Sequence, residues 1–272
     1  MNIASLTLCG SLALALFGAG HVIAAETRLN IDTINQYQSG QNDRQEFDLA
    51  NVRGDGSAQQ VNVGRVSQTQ SGGMSNVQTS SVGNASDHGR VDNVYVGNIS
   101  QTESGQQNTQ QVNVGNASGS AHTNVSVGSV SQTQSGQRNT QQVNVGNASG
   151  SAHTNVSVGN VSQSQSGQRN TQQVNVGNAS GSAHTNVSVG SVSQSQSGQD
   201  STQQVNIGNA SGSHHANVSV GGVVQNQSGD SRHQQVNIGN AHSGSTYVST
   251  GEVIVQGNSN QRRDRAVNIG NR

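Results

Sequence analysis

Residues 124–154 read NVSVGSVSQTQSGQRNTQQVNVGNASGSAHT. The phrase returns almost unchanged from Asn155 and again from Asn186, at a fixed step of 31 residues, with looser copies on both sides. One copy of such a phrase buries no core by itself. Stacked copies bury a continuous one, so the chain reads as a stack of rungs.

Within the phrase, Val125, Val127, Val130, Gln132 and Gln134 form a first arm, and Asn139, Gln141, Val143, Val145 and Ala148 a second. Inside each half-arm the step is two, the strand period. The step widens to three at Val127-Gly128 and Val145-Gly146. Glycine at such a parity break predicts a bend. A turn is expected at Ser135-Gly136-Gln137-Arg138 and another at Ser149-Gly150-Ser151. Folded at Gly136, the arms are palindromic: Gln134 opposes Asn139, Gln132 opposes Gln141, Val130 opposes Val143, Val125 opposes Ala148, and both glycine bends share one level. Ser126, Ser131, Thr133, Thr140, Gln142 and Asn144 then face outward.

Interior amides normally count against a strand core, since an unpaired one costs roughly 1–3 kcal/mol. In-register copies remove the objection, because each amide bonds its twin about 4.8 Å away as a ladder. The expected ladder positions are Gln132, Gln134, Gly136, Asn139 and Gln141, then Gln163, Gln165, Gly167 and Asn170, then Gln194, Gln196 and Gly198.

Residues 1–25 differ. The apolar run IASLTLCGSLALALFGAG, followed by Ala24 and Ala25, reads as a secretory signal peptide. The chain's one cysteine, Cys9, falls within it, so residues 26–272 contain no disulfide or cysteine-based metal site. From there on a single all-β unit is expected: a cross-β-like solenoid of about eight strand-turn-strand rungs with Gln/Asn and Val ladders. The rungs begin near residues 29, 61, 94, 125, 156, 187, 218 and 249, a stack roughly 35–40 Å tall. Proline, which would remove a ladder hydrogen bond, is absent, and aromatics at 2% exclude a conventional jigsaw core. A disordered polar chain would share this composition, but disorder has no reason to preserve a period.

The net charge of −1 is unevenly placed. Residues 26–103 carry nine acids against five arginines, with Asp43, Glu46 and Asp48 crowding the first rung; Arg262, Arg263 and Arg265 crowd the last turn. The middle is nearly bare, so acidic and basic ends can meet head to tail and propagate as a filament. Nucleic acid is a poor partner, for no basic face or aromatic platform is present.

At QSGQRN (Gln134 to Asn139) and QSGQN (Gln38 to Asn42) the chain resembles the curlin repeat, Ser-x5-Gln-x-Gly-x-x-Asn-x-Ala-x3-Gln. Its Gln-x-Gly-x-x-Asn core stands clearly at Val161 to Asn170, and at Ile99 to Asn108 with Glu103 replacing Gln. The period exceeds that family's, Gln141 stands where alanine is expected, and the mature N-terminus enters the repeats without a Gly-rich export segment. The ending VIVQGNSNQRRDRAVNIGNR resembles the last repeat of the minor, nucleating curlin. The resemblance implies a secreted subunit of an extracellular amyloid fibre that supports adhesion and biofilm matrix, either the bulk subunit or the nucleator. Its implied partners are further copies of itself, a nucleating or partner subunit, and an outer-membrane export pore.

His122, His153, His184 and His215 recur every 31 residues in the turn between rungs. Stacked, they make a column that is a weak metal candidate; the expected reading is a polar turn residue copied with its repeat, and no metal site. No cofactor motif, and no Ser, His and acid grouping of the kind a hydrolase needs, recurs; an enzyme is not expected. The competing function is a monomeric β-solenoid adhesin, or an ice- or glycan-binding module, using the outward hydroxyl columns.

Overall fold

The computed structural model describes residues 2–9, 13–16, 29–39, 44–49, 51–54, 57–135, 137–181, 183–197, 199, 201–212, 215–228, 232–242, 245–258 and 263–270. Its strands are short because the chain must bend several times within each 31-residue copy. In a central repeat, His153–Val158 leads into Val161–Ser166, the chain reverses, Thr171–Val176 returns, and Ala179–Gly181 completes the circuit before His184–Val189 starts the next. Each strand pairs in parallel with its own copy one turn away: His153 with His184, Gln163 with Gln194, Val174 with Val205, Ala179 with Ala210. Three parallel sheets of fifteen, nine and seven strands result. The fold is an all-β parallel solenoid, and no described residue is helical.

Six return arms, from Thr109–Val114 to Arg263–Ile269, keep a strict 31-residue step, while the first arm of the last turn steps by 30, with Val218 on Val248 and Gln225 on Val255. About eight rungs were expected, strict in the middle and looser at the ends. The two arms before these six join at offsets of 32 residues (Gln110 on Gln78) and 33 residues (Gln78 on Gln45). The surplus residues are taken up as bulges, where Gln60 and Asn93 adopt left-handed φ of 54° and 55°. Ahead of the first repeat, Asn2–Cys9 pairs with Leu29–Ser39 and Ala13–Leu16 with Arg44–Leu49, both in parallel. In the full chain the expected leader therefore lies on the first edge of the stack.

The alternation read from sequence decides the interior. Val156, Val158, Val161, Gln163 and Gln165 from the first arm are buried, as are Asn170, Gln172, Val174, Val176 and Ala179 from the second. Each buried valine contributes about 1.5–3 kcal/mol. Ala152 and Thr154, within what read as a turn, are buried too. Thr154 donates its hydroxyl to the Gly146 carbonyl at 2.9 Å.

The two bends are not equivalent. Gly146 has φ 61°, and a Cβ there would stand 1.9 Å from Val156 Cγ2; Gly115 lies against Val125 in the same way. Each return bend thus packs on the first arm of the following repeat, not at the level of Gly128 in its own. The palindromic pairing of Val125 with Ala148 is displaced accordingly, because the chain climbs continuously as it winds. At Gly128, whose φ is not positive, a Cβ would meet the Gly97 carbonyl oxygen at 3.0 Å, so there the bends stack backbone on backbone.

Candidate functional site

Two interior glutamine columns make the expected ladders. Gln101 donates to Gln132, Gln132 to Gln163 and Gln163 to Gln194, each at 2.7 Å. In the facing arm Gln110 donates to Gln78 at 2.8 Å, and Gln141 to Gln110 and Gln172 to Gln141 at 2.9 Å. The first series points toward the C-terminal end and the second toward the N-terminal end. Their amide dipoles therefore oppose one another across the core.

The column of Gln134, Gln165 and Gln196 departs from expectation. Gln165 donates across the interior to the Asn139 carbonyl at 2.9 Å, and Gln196 to the Asn170 carbonyl at 3.0 Å, both a turn back. Neither amide atom of Gln134 meets a partner among the described residues. Near the tight reversal the backbone competes for these amides, and the ladder gives way. Gly167 sits in that reversal with φ 117°; Gly136 and Gly198 lie outside the described residues. A further ladder runs along the Asn of each Asn-Ala-Ser triplet. Asn147 Oδ1 accepts from both the backbone N–H and the Nδ2 of Asn178, each at 3.0 Å.

Glu103 stands between Gln70 and Gln134 in register. It is buried, neither carboxylate oxygen has a hydrogen-bond partner among the described residues, and burial pushes its pKa up to about 9. The side chain therefore sits in the column as a neutral acid at ordinary pH.

The four histidines form a column with ring centroids 4.8, 4.9 and 5.2 Å apart, the first two pairs edge-on and the last stacked. Burial, then the neighbouring rings of His122 and His184, lowers the pKa of His153. Among the described residues no three His, Cys, Asp or Glu side chains gather as a metal site.

At the first edge Arg44 pairs with Glu46 at 2.9 Å, and Asp48 has its pKa raised by burial and then by Glu46. At the last edge Arg263 aligns with Arg232, and Arg265 with Gln234. Asp43 and Arg262 lie outside the described residues. Following the return-arm columns through every turn puts Arg44 and Asp264 in one column, Phe47 and Val267 in a second, and Leu49 and Ile269 in a third. Phe47 and Leu49 are buried, whereas Val267 is 46% and Ile269 40% exposed. Among the described residues nothing covers Val267 and Ile269, so the last rung exposes core columns.

Compared with family models, with curated proteins and with solved structures, the chain matches none. The geometry alone defines its class: a parallel β-solenoid with interior amide ladders.

Proposed function

We propose that the chain is a secreted, curlin-like structural subunit of an extracellular fibre, in which copies stack end to end and support adhesion and biofilm matrix. The observation that carries this reading is the open last rung. Val267 and Ile269 occupy the columns that Phe47 and Leu49 begin, so the first rung of another copy would bury them as Val236 and Ile238 are buried within the chain. An edge of unpaired strand groups backed by exposed core residues is a template for further strands. In-register glutamine columns hold successive repeats together inside the chain and give way in the last rung to Val255 and Arg265. The apolar leader, the resemblance to curlin repeats and the low charge of the middle repeats support export and assembly outside the cell.

The test uses the chain beginning at Glu26, incubated at micromolar concentration. Thioflavin fluorescence should rise, and oriented samples should diffract at about 4.8 Å along the fibre axis and about 10 Å across it. A sharp monomer on sizing, with β-type circular dichroism and no fibres after prolonged incubation, would overturn the proposal.

A further inference from the structure

Apart from its ends, the stack presents one face on which aromatic side chains interrupt the polar repeat. It is the outer surface of strands such as His122–Val127 and His153–Val158, a shallow groove of about 770 Å³ along the stack axis. Its lining includes no Asp, Glu, Lys or Arg. One column holds exposed asparagines: Asn155 donates to Asn124 and Asn186 to Asn155 at 2.7 Å, and Asn217 to Asn186 at 2.9 Å. Two residues along each strand, Ser126 and Ser157 begin a hydroxyl column. Each ladder amide uses one N–H and one lone pair along the column. The second of each is left for a ligand.

The chain contains three tyrosines, and two of them line this groove, Tyr247 on its last strand and Tyr95 one strand short of Gln60 and Asn62 at the other end. Tyr95 stands in the serine column and is 51% exposed; Tyr247 stands in the asparagine column and is 80% exposed. Five strand steps separate them, about 24 Å at the spacing of paired strands. An exposed tyrosine offers a rigid apolar face with a polar tip, at little cost in lost side-chain freedom. Here two such rings bracket a neutral strip of regularly spaced amides and hydroxyls.

We propose that this face binds a neutral, linear polysaccharide of β-linked hexoses laid along the stack axis. Sugar rings present C–H faces that rest on tyrosine and equatorial hydroxyls that exchange hydrogen bonds with amides. An extended glycan repeats its hydroxyls at an interval comparable to the strand spacing. The absence of charge in the lining disfavours acidic glycans and nucleic acid alike. Because the groove runs parallel to the axis, it stays open in a monomer and in an end-to-end fibre. The inference therefore stands apart from the assembly reading.

The test is low-speed sedimentation of the full chain with microcrystalline cellulose, at a speed that leaves the protein alone suspended. Wild type should partition into the pellet with a saturable isotherm. Tyr95→Ala/Tyr247→Ala should weaken binding about tenfold, the combined loss of two ring contacts. Tyr95→Phe/Tyr247→Phe, which keeps both rings, should bind nearly as wild type, as should Tyr37→Ala, whose tyrosine lies outside this groove. No partitioning of wild type, equal partitioning of wild type and the double alanine variant, or binding to alginate beads but not cellulose would each overturn the proposal.

Discussion

Glu103 is the only acid or base buried in the interior among the described residues. A protonated carboxyl has the outline of glutamine and keeps one donor and one acceptor, so it fits the column only when neutral. Burial raises its pKa from 4.5 to about 9. Between those values the folded chain holds a proton that the unfolded chain has released. Stability therefore falls as pH rises from about 4.5 to 9 and is insensitive to this group outside that window. Each pH unit within it is worth about 1.4 kcal/mol, which makes the cost at pH 7 on the order of 3 kcal/mol. Glu103→Gln should raise the denaturation midpoint at pH 7, flatten the pH profile and converge with wild type below pH 4.5. Parallel pH profiles for the two proteins would mean that the Glu103 carboxylate is solvated. His153 acts in the opposite sense. Its lowered pKa means that the folded chain resists a proton the unfolded chain accepts, so stability falls as pH drops below about 6.5. Replacing His122, His153, His184 and His215 by Asn should remove that acid limb while leaving the fold intact at neutral pH. An unchanged acid limb in circular dichroism melts would assign it to other groups.

At the scale of the element, alternation made most of the fold legible. A strand puts every second side chain inside, so Val156, Gln163 and Val174 could be placed from spacing alone. Identical copies then licensed buried glutamines that a single sheet would forbid. Three features were hidden, each for a physical reason. Thr154 is interior although it lies in a segment of turn composition, because its hydroxyl is satisfied by the Gly146 carbonyl. The Gln134 column abandons its ladder because the reversal brings backbone carbonyls within reach. The level at which the arms meet could not be read, since a palindrome is equally satisfied one turn up or down. The interior columns should carry more stability than the exposed one. Replacing Gln132, Gln163 and Gln194 together by Leu orphans the facing ends of Gln101 and Gln225 and overfills a packed seam. About 1–3 kcal/mol is expected for each amide left without a partner, with overpacking added. Replacing Asn155, Asn186 and Asn217 together by Ala removes equally short hydrogen bonds from a solvated face, and should cost within about 0.5 kcal/mol per site. Denaturant midpoints compare the two triples. Similar losses would show that the interior ladders contribute no more than those in water.

For the whole molecule, the direction of stacking follows from what the two ends present. If the first rung of one copy continues the columns of another's last rung, Arg44 falls opposite Asp264 while Phe47 covers Val267 and Leu49 covers Ile269. The apolar contacts supply most of the junction's stability, and the ion pair selects the register. A slip of two residues would keep core residues facing inward but would carry Arg44 away from Asp264. Directly opposed opposite charges on paired strands contribute roughly 0.2–1 kcal/mol, and like charges oppose pairing by a similar amount. In the chain beginning at Glu26, Arg44→Asp sets two acids opposite each other at the junction, and Asp264→Arg sets two arginines there. Each should slow fibre elongation severalfold. The Arg44–Glu46 pair lost in the first variant lies within one copy, and Asp264→Arg, which leaves it intact, serves as its control. Combining the two substitutions reverses the polarity and should restore the rate toward wild type. The differences should vanish near 1 M salt, where screening acts within about 3 Å. The full chain, whose first edge is occupied by Asn2–Cys9 and Ala13–Leu16, should elongate more slowly than any of these. Seeded thioflavin kinetics at two salt concentrations read all of these outcomes. Two single variants that slow elongation and a double variant that slows it further would place the charges at separate surfaces, and end-to-end stacking in this register would be wrong.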